Sequence, residues 1–210
     1  MQAPKTSNRA GARAERRESL LRAADDVIRR RGPDASMDEI AAAAGISKPI
    51  LYRHFGDKGG LSRALIDRYV DVLLDRLRAA LASETDPFAR LARAVDTYFA
   101  FIEEHEDAYR FLTVRLAPER PEAQLAITDF AVRVAEEVAA EMEPEIEKAG
   151  LDIQAAGPWA HGIVGMVQLA GDWWMRNRGL PRSEVVAYVV GLLWNGLGVA
   201  ARSETAKEAV

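Results

Sequence analysis

At 210 residues the chain is long enough for one sizeable domain plus a small one, and its formal charge of −4 excludes a protein that coats nucleic acid with a uniformly basic surface. It has no cysteine, which excludes a disulfide framework and a thiolate zinc site and suits a reducing cytoplasm, the expected location. The charge is unevenly placed: residues 1–63 hold 13 basic and 8 acidic side chains (+5), residues 64–210 hold 15 and 24 (−9), and a basic head on an acidic body suits a small module that turns its positive face to phosphate.

Met1–Gly11 is polar with scattered basic residues and contains no apolar run, so it reads as a mobile tail and not as a secretory signal. An arm touching DNA through Lys5 and Arg9 is the alternative. Arg13–Arg31 reads as a helix with Leu20, Ala24, Val27 and Ile28 as its apolar stripe. Arg13, Arg16 and Arg17 crowd its first turns, where the helix dipole favours acids, which points to an external anion such as phosphate.

The stretch SMDEIAAAAGISKPILYRHFGDKGGL, Ser36 to Leu61, reads as a helix-turn-helix with the start of a third helix. Ser36 precedes Glu39 by three residues, a capping-box spacing. Ile40 and Ala44 share a buried face, and Gly45 supplies the left-handed residue that ends the helix. Ser47 is placed to cap a second helix with Pro49 in its first turn, and Leu51 and Phe55 bury that helix. Its other face carries Lys48, Ile50, Tyr52, Arg53 and His54, suited to the major groove. Gly56 to Gly60 lacks the order of a phosphate-binding loop and reads as a tight turn in which Asp57 caps the next helix, leaving Lys58 at a phosphate-contact position.

ISKPILYRHFGDKGGL resembles the recognition-helix signature of the TetR family of bacterial transcriptional regulators. Ile46, Ser47, Leu51, Tyr52, His54, Phe55, Asp57, Lys58 and Leu61 carry the match. Pro49 stands where many members have Gly, and Ile50 replaces the usual Thr or Ser, so a hydroxyl contact is lost there. The resemblance implies that Ser47, Lys48, Pro49, Ile50, Tyr52, Arg53 and His54 face the groove or its phosphates, and that Arg17, Ser36 and Lys58 fix the backbone.

Lys58–Ser83 keeps an apolar period through Leu61, Leu65, Tyr69, Leu73, Leu77 and Leu81 and forms one long helix. Asp86-Pro87 caps and starts the next, buried through Phe88, Leu91, Val95, Tyr98, Phe99 and Ile102. The run Glu103 to Asp107 reads as a solvated helix end or turn, because neighbours on a helix point apart and make a poor metal cluster. A short helix, Tyr109–Leu116, breaks at Pro118. Glu122–Ala149 is long, turns Leu125, Ile127, Phe130, Val134 and Val138 inward, and is expected to kink or break near Pro144. Asp152–Arg178 follows, distorted in its first turns by Gly157-Pro158. The last helix contains Val185–Ala201, apolar all round except for Asn195, and its glycines 191, 196 and 198 permit close helix approach. It is too short and too glycine-rich to be read as a membrane span.

The chain therefore reads as all-α, with about nine helices: a flexible tail (1–12), a three-helix helix-turn-helix DNA-binding domain (13–60), and a helical effector-binding and dimerisation domain (61–210). No catalytic motif, cofactor fingerprint or metal-ligand spacing is present, so no enzyme, cofactor or metal is expected. The resemblance implies a homodimer through the last two helices, a near-palindromic double-stranded operator, and a repressor released by a small effector. The effector would sit between the helix from Lys58 and the Phe88, Glu122 and Asp152 helices. Tyr98, Phe101, Phe130, Trp159, His161, Met166 and Trp173 are the wall candidates, a lining that suggests a lipophilic or aromatic molecule. The alternative is an activator or architectural DNA-binding protein with no small ligand.

Overall fold

The computed structural model describes residues 6–32, 35–110 and 121–196, with the side chains of 6–10 and 121–127 left aside. The expected roles of Lys5, Arg9, Leu125, Ile127 and Gly198, the second half of the Tyr109–Leu116 helix and the break at Pro118 lie outside these residues. Within them the fold is all-α: nine α-helices, one short 3-10 turn and no strand. The chain forms two compact units, one of residues 1–70 and 105–128, the other of residues 71–104 and 129–210. The division falls at Val70 and Asp71, inside a continuous helix.

In the first unit α1 (Thr6–Arg31) begins within the stretch read as a tail. Ala and Arg are good helix formers, and polar composition alone does not stop a helix. Leu20, Leu21, Ala24, Val27 and Ile28 are its buried stripe. Arg29, Arg30 and Arg31 occupy its last turn, where cations suit the dipole, and each is used locally, on Asp25, the Asp26 carbonyl and Glu39. The helix-turn-helix is α2 (Met37–Ala43) and α3 (Lys48–Phe55). Gly45 turns the chain between them at φ 65°. The capping box is present in both directions: Glu39 N–H donates to Ser36 Oγ at 3.3 Å and Ser36 N–H to Glu39 Oε2 at 3.0 Å. The Ser36 hydroxyl, which donates to Glu39 Oε2 at 2.8 Å, and then the Ser36 N–H and Arg31 hold the Glu39 carboxyl below the usual carboxylate range.

The long helix α4 (Lys58–Ala82) starts as expected, with Asp57 Oδ1 accepting from Gly60 N–H at 2.8 Å. Gly60 has a steric reason: a Cβ there would lie 1.8 Å from the Phe55 carbonyl oxygen. The first half of α4 belongs to the first unit, where Tyr69 donates to the buried Asp25 on α1. The run from Glu103 to Asp107 is a junction, because α5 (Pro87–Glu104) ends inside it and α6 (Glu106–Arg110) begins there, packing on α1. Its acids are not merely solvated: Glu103 pairs with Arg182 at 2.9 Å and Glu104 with Arg76 at 2.5 Å.

The second unit contains the second half of α4, then α5, α7 (Pro121–Lys148), α8 (Ala156–Arg176) and α9 (Arg182–Asn195). α7 runs through Pro144 without interruption. Ala140 and Pro144 are both exposed, so the carbonyl that loses its donor is not trapped in the core. A 3-10 turn, Ile153–Ala155, precedes α8 in place of its expected first turn, capped by Asp152 on Gln154 N–H at 3.0 Å. α9 ends at Gly196, φ 64°. Phe99 and Trp174 are the largest fully buried side chains, with ring centroids 5.5 Å apart. Burying a ring such as Phe99 contributes roughly 1.5–3 kcal/mol before entropy. No helix among the described residues is long and apolar enough to cross a membrane.

The close approach of helices within this unit is at Gly171. A Cβ there would lie 2.8 Å from Tyr98 Cε1 and 3.0 Å from Ile102 Cδ1, whereas one at Gly191 or Gly196 meets nothing within 4 Å. Gly165 on the same helix also has open space. Gly171→Ala and Gly165→Ala gain the same helix propensity, so their difference isolates the clash. We expect Gly171→Ala to be the less stable by about 1–3 kcal/mol. Paired thermal melts check this, and equal melting temperatures contradict it.

Candidate nucleic-acid interface and apolar cavity

Leu51 and Phe55 bury one face of α3 and so fix which residues turn outward. Arg53 and Pro49 are exposed, while Lys48, Ile50, Tyr52 and His54 are half-buried on the same short helix. Ser47 stands at the N-cap in extended conformation but its hydroxyl makes no capping bond; its carbonyl instead accepts from the amides of Ile50 and Leu51. The Ser47 hydroxyl is thus not spent on the cap. Ser36 differs, because its hydroxyl is committed to the box with Glu39. Arg17 lies over the Phe55 ring, 5.3 Å from its centroid, which brings α1's exposed basic turn to the recognition helix. Arg13 and Arg16 are exposed on that same helix. Lys58 is half-buried at the start of α4.

Lys48 is held by Asp38 of α2, Nζ to Oδ2 2.8 Å. That hydrogen bond raises the Lys48 pKa. No spacing rule announces this pair, since Asp38 reads as an ordinary first-turn acid. It leaves Arg53 as the exposed, uncommitted fork on the recognition helix, able to address guanine or phosphate bidentately.

The second unit holds a partly open cavity of about 460 Å³. Aliphatic rows at four-residue spacing build it: Leu73, Leu77 and Leu81 on α4; Val134, Val138, Met142 and Ile146 on α7; Ile163 and Val167 on α8. α5 adds Arg90, Leu91, Val95 and Tyr98, and the end of α9 adds Leu193 and Trp194. Of the wall residues, Leu151 and Trp159 are exposed, whereas Leu73, Val95, Tyr98, Val134, Ile146 and Val167 are buried. Burial, and secondarily the charge of Asp172, push the Tyr98 phenol up. Burial likewise pushes the Asp172 carboxyl up.

Of the seven wall candidates, Tyr98, Phe130 and Trp159 line the cavity. Phe101 is buried elsewhere, beneath the Arg76 guanidinium at 5.4 Å. His161 is exposed, with Nδ1 2.8 Å from the Gly157 carbonyl oxygen. Met166 and Trp173 are also exposed on α8, away from the cavity wall. The aliphatic rows, not the aromatics, make most of the wall; their signal in the sequence is the unbroken four-residue spacing. Among the described residues no group of three or more His, Asp or Glu side chains is arranged to hold a metal ion.

Two assays separate the roles on the DNA side. Arg53→Ala is expected to lose discrimination between operator and random DNA by about 1–3 kcal/mol, while Lys58→Ala weakens both alike and lowers the salt slope by about one. Asp38→Ala releases Lys48, so affinity for random DNA should rise and its salt dependence steepen by about one phosphate contact. Salt-titrated binding to both DNAs reads all three variants.

Comparison with known proteins agrees with this geometry. Residues 20–65 match the family described as bacterial regulatory proteins, tetR family, and residues 76–209 match the tetracyclin repressor-like C-terminal domain. The chain is 35% identical to the HTH-type transcriptional activator FasR of Mycolicibacterium smegmatis over 92% of its own length and 90% of that protein. It is 33% identical to an uncharacterised HTH-type transcriptional regulator of Mycobacterium tuberculosis over 88% of its length and 78% of the relative. Among solved structures, FadR from Bacillus subtilis in complex with stearoyl-CoA matches with a TM-score of 0.69 at 18% identity, covering 86% of this chain and 98% of that one.

Proposed function

The chain belongs to the tetR family of bacterial regulatory proteins and is a DNA-binding transcriptional regulator, not an enzyme; from that premise we propose that it is a homodimeric repressor released from a near-palindromic operator by a lipophilic effector. The observation that carries the effector is the largely aliphatic cavity of about 460 Å³ in the second unit. Pockets of this size and lining suit small apolar ligands. α4 supplies the coupling, since its first half packs in the reading unit and its second half lines the cavity. The stearoyl-CoA complex of the Bacillus FadR adds support for an acyl chain as the lipophile.

Exposed apolar side chains on α8 and α9 support the homodimer. Met166, Leu169 and Trp173 follow at helical spacing on α8 and are 38%, 68% and 47% exposed; Tyr188 on α9 is 63% exposed. An identical subunit offers the same stripe in return, as a two-fold interface requires. The two reading heads then address half-sites about one helical turn, ~34 Å, apart. The activator name of the Mycolicibacterium relative favours a second reading, in which the same dimer activates transcription.

Selection from random DNA should enrich one near-palindrome, and light scattering should find a dimer. A stearoyl compound should perturb the fluorescence of the cavity tryptophans, Trp159 and Trp194, and weaken operator binding about 5–150-fold, the range of typical allosteric couplings. Strengthened binding would favour the activator reading. Operator affinity unchanged with the cavity filled would sink the effector reading.

A further inference from the structure

The face of α1 that packs the first unit changes character along its length. Ala24 lies at the centre of the buried stripe and is fully covered. At about 100° per residue, Arg13 and Arg17 fall within roughly 20° of the Ala24 direction and Arg16 within roughly 80°. The same side of the helix is therefore apolar from Leu20 onward and basic before it. The acids of this stretch stand elsewhere on the helix, Glu15 roughly 180° and Glu18 roughly 120° from Ala24. Glu18 is engaged by Arg68 of α4 at 3.3 Å, whereas Arg13 and Arg16 make no ion pair among the described residues.

The stripe turns basic where the core of the unit ends. Leu20 is fully buried, but every residue from Gly11 to Arg17 is exposed. Arg17 marks the edge, with its guanidinium over the ring of Phe55, the last residue of the recognition helix. α1 nonetheless continues as a helix back to Thr6. From Thr6 to Arg17 is about 16 Å along the axis, the length of roughly five base pairs of duplex. Because the helix starts at Thr6, Arg13 and Arg16 stand beyond its first turn, outside the reach of the dipole, so a side of the helix and not its end carries the charge. The overhang also precedes residues 20–65, which carry the family match.

We propose that the overhanging part of α1 is a second DNA-binding element, which lays Arg13 and Arg16 on the duplex flanking each half-site while the recognition helix holds the half-site itself. The proposal rests on the DNA-binding family and is independent of the effector. A helix this short is marginal in water unless one face is covered, and the unit has no core left to cover this one. The face that would be covered carries guanidinium groups, so the surface that suits it is anionic. It emerges beside Phe55, at the end of the helix that reads the groove, which makes that anionic surface the DNA already engaged there. Contacts of this kind position the protein and add affinity on any sequence, and they are strongly salt-dependent.

The test is salt-titrated binding of the full chain to a random duplex and to the selected operator, the latter with no flank, a flank of about five base pairs, or one twice as long. Affinity should rise with the short flank and stay level with the long one. Arg13→Gln combined with Arg16→Gln should abolish that gain and lower the salt slope by about two for each reading head, on operator and random DNA alike. Both positions are exposed and Gln is a good helix former, so thermal melts should not move. Arg13→Lys combined with Arg16→Lys should keep the slope. Glu15→Gln makes the chain more positive on the opposite side of α1 and should change neither slope nor flank gain. An equal gain from A-tract and G·C flanks assigns the arginines to phosphate, a larger gain from A-tracts assigns them to a narrow minor groove, and either supports the element. A slope unmoved by the paired Gln substitutions, a slope raised by Glu15→Gln, or an affinity indifferent to the flank overturns it while the recognition helix stands. A wild-type chain that bound neither duplex would overturn both.

Discussion

The hydrogen bond from Tyr69 to Asp25 is the contact on which the reading unit depends. Asp25 is buried at 7% exposure, and a carboxylate at that depth costs several kcal/mol unless it is partnered. Tyr69 and Arg29, the latter at 3.1 Å, supply the partners. Burial and the Asp25 contact hold the Tyr69 phenol protonated well beyond its ordinary range, so it stays a donor. The consequence is positional. α1 carries Arg17 onto Phe55 of the recognition helix, and α4 begins immediately after that helix, so a bond from α1 to α4 closes the unit around α3. α4 then continues past Val70 as the same helix and gives Leu73, Leu77 and Leu81 to the cavity.

That continuity raises the question of how a space of about 460 Å³ survives in a core whose density elsewhere resembles an organic crystal. The large side chains that would fill it are engaged elsewhere: Phe99 and Trp174 fill the centre of the unit, and Phe101 sits beneath Arg76. The helices around the cavity are meanwhile tied to one another by ion pairs. Arg76 reaches Glu104 from α4 to α5, Arg78 reaches Glu137 from α4 to α7, Arg133 reaches Asp71 back from α7 to α4, and Arg90 reaches Glu141 from α5 to α7. Exposed pairs of this kind contribute about 0–1 kcal/mol each. Each links two of the helices that line the cavity at their solvent-facing edges.

The parts of the structure legible in the sequence are those governed by neighbours in the chain. Ser36 with Glu39, Gly45, Pro49, Asp57 and Gly60 are all within a few residues of the groups they serve, so the reading helix and its boundaries follow from local chemistry. The Ser47 hydroxyl was expected to cap α3 and does not, because the backbone carbonyl of Ser47 does the work of starting the helix alone. The Lys48–Asp38 pair and the Arg17–Phe55 stack join residues whose proximity is created by the turn, and no spacing rule reports them. The cavity wall was legible only as stripes. Period four in Val134, Val138, Met142 and Ile146 announces a covered face, but an alternation of this kind reads the same over a packed core as over a hollow one.

α8 makes the limit concrete, because it is apolar on two sides. Adjacent tryptophans have opposite fates: Trp174 is 1% exposed and donates from Nε1 to the Leu180 carbonyl, while Trp173 is 47% exposed. Hydrophobicity does not distinguish them, and neither does helical periodicity, which assigns a face to each without saying what covers it. Gly171 does distinguish them. Its missing Cβ admits Tyr98 and Ile102 of α5, so the side of α8 carrying Gly171 is the side turned to its own core. At about 100° per residue, Val167 and Trp174 fall within roughly 60° of that direction, and Leu169 and Trp173 fall roughly 160° away from it. The observed burial follows those angles. On a helix whose two faces are equally greasy, the residue that orients it is therefore the one with no side chain at all.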